Sequence, residues 1–177
     1  MFLNKILRKE KLLAILPAVI FLIAGVLTLG DYGINWDESF HFQRGQAYLR
    51  YFLTNKKDFL DLPAYPKLRG DSDFMGRKGE QDIYVVAEKS KDLPLSKERR
   101  SYYQSDVFTF SFLNSGFDGG HPPTSDILAS FFNFIFYQKL GIFDDIEAYH
   151  LFEIFISSLL VLSVGVFAYY NFGLIAS

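Results

Sequence analysis

"LLAILPAVIFLIAGVLTLG", Leu12 to Gly30, runs without a single charge. At 1.5 Å per residue, about 20 such residues cross the roughly 30 Å hydrocarbon core of a bilayer. Pro17 falls in the first turns, where few backbone hydrogen bonds are lost to it. Lys5, Arg8, Lys9 and Lys11 come before the run, and the positive-inside rule therefore puts residues 1–11 in the cytoplasm. A second apolar stretch, "LFEIFISSLLVLSVGVFAYYNFG" from Leu151 to Gly173, has one charge, Glu153, near its start, and Tyr169 and Tyr170 near its far boundary. The expected fold class is therefore mainly α and integral to the membrane. Two transmembrane helices, 12–30 and 151–173, flank a long extracytoplasmic loop, 31–150. The protein is expected to be multi-pass in the cell membrane. Residues 174–177, "LIAS", bring no basic flank, and the expectation is a truncated end of a longer protein.

Composition fits a chain of apolar and polar blocks. Half of its 177 residues are hydrophobic and 21% are charged, with a mean hydropathy of +0.12. A net charge of −2 and the lack of a basic tract give no footing for nucleic acid. With no cysteine there is no disulfide framework, thiolate metal site or cysteine nucleophile. Within the loop, 35–54 reads as a helix and 61–100 as polar and irregular, with Ile83 to Ala87 its one candidate strand. Residues 122–141, "PPTSDILASFFNFIFYQKLG", read as a juxtamembrane helix in the interface, with Asp126 at its positive end and Gly141 at its stop. Two rival readings are a third span over 127–143 and a cleaved signal peptide at the N-terminus.

"WDESFHF" follows the first apolar run. Asn35 and Glu38 have capping-box spacing, and acids in a first helical turn answer the helix dipole. That structural account of Asp37 and Glu38 stands beside a chemical one. Asp37, His41, Arg44 and Tyr48 recur at steps of four, three and four and share a helical face, while Phe42, Leu49 and Leu53 lie away from it and can pack. The stripe offers a carboxylate, an imidazole, a guanidinium and a phenol for proton transfer or for binding a sugar hydroxyl or a phosphate. A second dense region, "GFDGGHPPTSD", presents Asp118 and His121 on a glycine- and proline-framed junction. Asp37, Glu38, Asp118 and His121 are also the donor types that hold a divalent cation, although no metal-binding spacing supports one.

In this order, a basic tail, a span, Asp37–Glu38, a long outer loop, His121–Pro122–Pro123 and another span, the chain resembles the start of a GT-C superfamily glycosyltransferase. The likeness is to the protein O-mannosyltransferase-like family 39. The resemblance implies a many-pass enzyme that moves a sugar from a polyprenyl-phosphate carrier in the membrane to a protein or glycan acceptor outside it. It further implies Asp37 as general base, Glu38 as an orienting residue, and His121 in the same cavity. Thr124, Ser125 and Asp126 stand where eukaryotic O-mannosyltransferases continue with Leu-Gly-Lys, which leaves the acceptor class open. The competing expectation is a non-enzymatic two-span protein whose outer loop binds a partner or an envelope polymer.

Overall fold

A computed structural model of the protein describes residues 9–33, 35, 38–59, 62, 100, 101, 103, 104 and 122–173. These residues are mainly helical, and there is no strand among them. Helix α1 is Lys9–Leu27, followed by a short 3-10 turn at Leu29–Asp31. Helix α2 is Glu38–Thr54, and α3 is Thr124–Asn133, continued by a π-helical stretch, Phe134–Lys139. Helix α4 is Asp145–Phe172. The candidate strand at Ile83 to Ala87 lies outside the described residues.

Several helix boundaries differ from those read in the sequence. Helix α1 begins at Lys9 and not at 12, α2 begins at Glu38 and not at 35, and two further differences have a visible local cause. Helix α1 stops at Leu27, three residues before Gly30. Thr28 folds back there, its amide 3.1 Å and its hydroxyl 3.0 Å from the Ala24 carbonyl, and the Asp31 amide closes on the Thr28 carbonyl at 2.9 Å. Helix α4 starts at Asp145, six residues ahead of the predicted span. A reciprocal cap sets that start: the Glu147 amide donates to Asp144 Oδ1 at 2.8 Å, and the Asp144 amide to Glu147 Oε2 at 3.1 Å. Among the described residues α4 is the one helix long and apolar enough, by length and composition, to cross a membrane. It rises about 42 Å at 1.5 Å per residue. Its C-terminal stop is Gly173, at φ +82°, in the left-handed region that suits glycine.

The described residues form two compact units. One contains α1, its 3-10 turn and α4 from Leu151 onward. The two helices run antiparallel with close backbone approach. A β-carbon on Gly25 would lie 2.7 Å from Ile154 Cγ2, and one on Gly165 would lie 2.8 Å from the Ala14 carbonyl oxygen. Ala14, Ala18 and Ser158 are buried in this unit, while Leu12, Ile20, Ile23, Leu160, Val164 and Phe167 point outward. Small residues inside and large apolar ones outside are the packing pattern of helices in lipid.

The second unit spans residues 32–150 and holds α2, α3, the π-helical stretch and the first turns of α4. Phe42 is its aromatic centre, stacked on Tyr149 at 4.1 Å between ring centroids and met edge-on by Tyr103 at 5.1 Å. Leu49 is buried, as its position on the helix predicts, but Leu53 is exposed. It belongs to the last turn, Phe52 to Thr54, which is exposed throughout. Asn55 then leaves the helix at φ +57°. The predicted interfacial helix 122–141 is present in two parts, and Asn133, Tyr137 and Gln138 turn into the interior.

Helices α2 and α3 touch at Gly45, where a β-carbon would run into the Asp126 carbonyl oxygen and Ser130 Oγ. An alanine in an open helix interior is worth roughly 0.5–1 kcal/mol over glycine. Here overpacking, typically about 1–3 kcal/mol, outweighs that gain. Gly45→Ala is expected to lower the melting temperature followed by helical circular dichroism. An equal or higher melting temperature would show that the helices do not meet at this residue.

Candidate functional site

The acids, histidines and arginine that the structure brings together come from three helices and gather beside the first half of α2. Glu38 opens the helix. Its Oε2 accepts the Asn35 amide at 2.8 Å, which is the carboxylate arm of the predicted capping box, while the Asn35 carbonyl accepts the Glu38 amide at 3.3 Å. The same Oε2 lies 3.2 Å from Nε2 of His150, in the second turn of α4. Burial alone would raise the pKa of Glu38. The hydrogen bonds from His150 and the Asn35 amide, with the charges of His150 and His41, overcome it and hold the carboxyl below its ordinary 4.5. Glu38 is therefore an ionised hydrogen-bond acceptor at neutral pH, and a weak base.

One turn on, His41 and Arg44 converge on Asp126 of α3. The Arg44 Nε–H donates to Asp126 Oδ2 in a close charge-assisted bond. His41 Nδ1 lies 3.1 Å from Asp126 Oδ1 and 2.9 Å from Arg44 Nη2. A protonated Nδ1 donates to Asp126, whereas a bare one accepts from Arg44, so the ring tautomer selects the partner. Ser125 Oγ adds a donor to Asp126 Oδ1 at 3.2 Å. Arg44 and Asp126 are both buried, while His41 keeps 43% of its side chain exposed. The first is an interior ion pair, and the histidine is its accessible edge.

Beyond this pair the interior is a chain of amides. Gln104 Nε2 donates to Gln46 Oε1 at 2.8 Å, and Gln46 Nε2 donates to Asn133 Oδ1 at 3.2 Å and to the Tyr149 hydroxyl at 2.6 Å. Gln138 Nε2 donates to Asn133 Oδ1 at 2.8 Å, and Asn133 Nδ2 to Asp145 Oδ1 at 2.7 Å. Each of these four amides makes at least one hydrogen bond, which is what makes burial of so many polar groups tolerable. Gln104 Oε1 and, outside the network, Gln43 Oε1 are buried with no partner among the described residues. The network ties α2, α3 and α4 together beside the acid–histidine cluster.

Of the residues singled out in the sequence, Glu38, His41 and Arg44 gather at one place, and Tyr48 lies a turn beyond, half-buried. Asp37, Asp118 and His121 lie outside the described residues. Among the described residues no group of three His, Asp or Glu side chains is arranged to hold a metal ion. Sequence reasoning missed Asp126 and His150 as partners. Asp126 was accounted for by the dipole of α3, and His150 stood just ahead of the predicted second span. The one local signal for His150 was the "DDIE" cap, which starts α4 early enough to include it.

Removing one partner of a buried ion pair costs about 3–5 kcal/mol, whereas replacing both with apolar groups is often neutral. Arg44→Met and Asp126→Leu are each expected to lower thermal stability by that order. The double variant Arg44→Met/Asp126→Leu should recover most of the loss, and additive losses would show that the pair is not coupled. For Glu38, the folded pKa is lowered. Its contribution to stability is therefore complete above pH 4.5 and is lost as pH falls from there through the folded value. Glu38→Gln should flatten that part of the acid-unfolding profile, and an unchanged profile would contradict the assignment. The chain matches no family model, no curated protein and no solved structure, and what the cluster can do chemically follows from its own residues.

Proposed function

We propose that this chain supplies the first two spans and the outer loop of a membrane glycosyltransferase, with its N-terminus in the cytoplasm. The enzyme transfers a sugar from a polyprenyl-phosphate carrier to an extracytoplasmic acceptor. One observation carries the reading beyond the resemblance in motif order. His41, four residues after Asp37, lies 3.1 Å from Asp126, five residues after His121. The helices that follow the two motifs are therefore packed against each other at their starts.

In the proposed reaction Asp37 takes the proton of an acceptor hydroxyl as that oxygen bonds to the anomeric carbon. The bond from this carbon to the carrier phosphate breaks, and the polyprenyl phosphate leaves with the electron pair. Glu38 orients a substrate hydroxyl, and Asp118 and His121, outside the described residues, are the further substrate-binding candidates read from the sequence. A lipid-linked donor requires chemistry at the membrane face, and Asp37 follows the first apolar run by only seven residues. The small-residue packing of α1 against α4, with large apolar side chains outward, supports two spans in lipid. A divalent cation, if the reaction uses one, would draw on the carboxylates of the outer loop.

The competing function is a two-span protein whose outer loop binds a partner or an envelope polymer. The mutual engagement of Arg44 and Asp126 in the interior favours it to the extent that these charges serve the fold. Turnover decides between the two. In membranes carrying the protein and a radiolabelled polyprenyl-phosphate sugar, Asp37→Asn is expected to lower transfer by at least about a hundredfold, the usual reach of a general base. Resistance to alkaline extraction should be unchanged. Unaltered transfer in Asp37→Asn would remove Asp37 as the base.

A further inference from the structure

The two hydrogen bonds that described residues make to the Glu38 carboxylate fall on one oxygen. Oε2 accepts the Asn35 amide at 2.8 Å and faces His150 Nε2 at 3.2 Å. Among the described residues no hydrogen bond reaches Oε1, and the side chain keeps 21% of its surface exposed. Of the other ring in this contact, only 5% of the His150 side chain is exposed. Its Nδ1 is buried and has no hydrogen-bond partner among the described residues. In the neutral ring a proton on Nδ1 would be a buried donor with no acceptor among the described residues, so the favoured tautomer carries it on Nε2 and points it at Glu38.

The ring has little freedom to turn away. Tyr32 and Phe42 meet it edge-on, each with a centroid separation of 6.0 Å. Phe42 is itself held by its stack on Tyr149. The Asp144–Glu147 cap fixes where α4 begins and hence the turn on which His150 stands. Two residues 112 positions apart in the chain are thus held by separate helices in a defined donor–acceptor geometry.

We infer that His150 is the positioning residue of Glu38, pinning Oε2 and leaving Oε1 to accept a hydrogen bond from a substrate hydroxyl. The substrate side of this inference rests on the proposed sugar transfer, whose donor and acceptor both carry hydroxyls. The protein side does not. A carboxylate with one oxygen saturated by protein donors and the other open can receive an O–H in only a narrow range of directions. That narrowness is what turns a charged side chain into an orienting one. Among the described residues His41 is the other titratable group that acts on Glu38, and it is itself engaged with Asp126.

The test uses the full chain in lipid nanodiscs with carboxyl-labelled glutamate, the Glu38 signal being identified by its loss in Glu38→Gln. The midpoint of Glu38 is expected to move upward in His150→Phe, which keeps an apolar ring but no donor. In His150→Gln, which restores an N–H, it should stay near that of the unaltered protein. In the transfer assay, His150→Phe should raise KM for the sugar donor about tenfold or more, the loss expected when a charge-assisted hydrogen bond is misaligned, with a smaller change in kcat. A Glu38 midpoint that is the same in His150→Phe and in the unaltered protein overturns the inference, whatever the transfer assay reads. Should His150→Phe fail to fold, nitrogen-15 spectra of the unaltered protein decide instead. A proton on Nε2 supports the pair, and a neutral ring whose one proton sits on Nδ1 overturns it. Absence of transfer in the unaltered protein fails the glycosyltransferase reading by itself, and the midpoint shift still decides the pair.

Discussion

The second unit depends on the contact between Gly45 and the Asp126 carbonyl. That contact brings the axes of α2 and α3 together more closely than any side chain at position 45 would permit. It also decides what happens one residue earlier. Arg44, neighbour to the glycine, is carried into the interface, where a guanidinium without a partner would be prohibitive. Asp126, whose own backbone makes the close contact, supplies the carboxylate. The steric and the electrostatic requirements are met by the same two segments. Once Asp126 is committed to Arg44, His41 on the next turn is drawn to its other oxygen.

From this crossing the rest of the unit follows by polar matching. Gln46, two residues past Arg44, faces inward with the amides of Asn133 and Gln138, which stand five apart on α3 and its continuation. A regular α-helix would rotate residues five apart well away from each other. The π-helical stretch from Phe134 to Lys139, with the Leu140 amide bonded to the Ile135 carbonyl at 2.9 Å, keeps both on the inner side. The chain of donors ends on Asp145 at the head of α4, whose amide end favours a negative charge. One irregularity in α3 therefore serves to satisfy a buried network that ties in the helix carrying His150.

Local rules reached part of this. The capping relation of Asn35 and Glu38, the end of α2 at Thr54 and the stop at Gly173 are short-range events, and the residues concerned announce them. The early start of α4 was also legible, because Asp144 and Glu147 have capping-box spacing, but the apolar run beginning at Leu151 drew the boundary to itself. The partnership of Asp126 with Arg44 was not legible. Each residue has a sufficient local explanation, one as a helix-start acid and the other as a member of a polar stripe, and they stand 82 residues apart. His150 is the same case at greater separation. Helical periodicity tells which residues share a face, but not which other helix covers that face. Here α3 covers part of the stripe that would otherwise have faced solvent.

That covering separates the roles available along α2. Arg44 and Asp126 spend their charge on each other, so neither is an open group for a ligand in this arrangement. His41 keeps an exposed edge, and Glu38 keeps one oxygen that no described residue bonds. A carboxylate whose ionised form is favoured by an amide, a histidine and nearby positive charge holds a proton poorly. Such a group is suited to orient a hydroxyl, and it is poorly suited to remove the hydroxyl's proton as that oxygen attacks. If the paired acids that follow the first apolar run act together in sugar transfer, the interactions of Glu38 assign it the orienting part. On the proposed reading the base is then a group other than Glu38, which leaves that part to Asp37 as proposed.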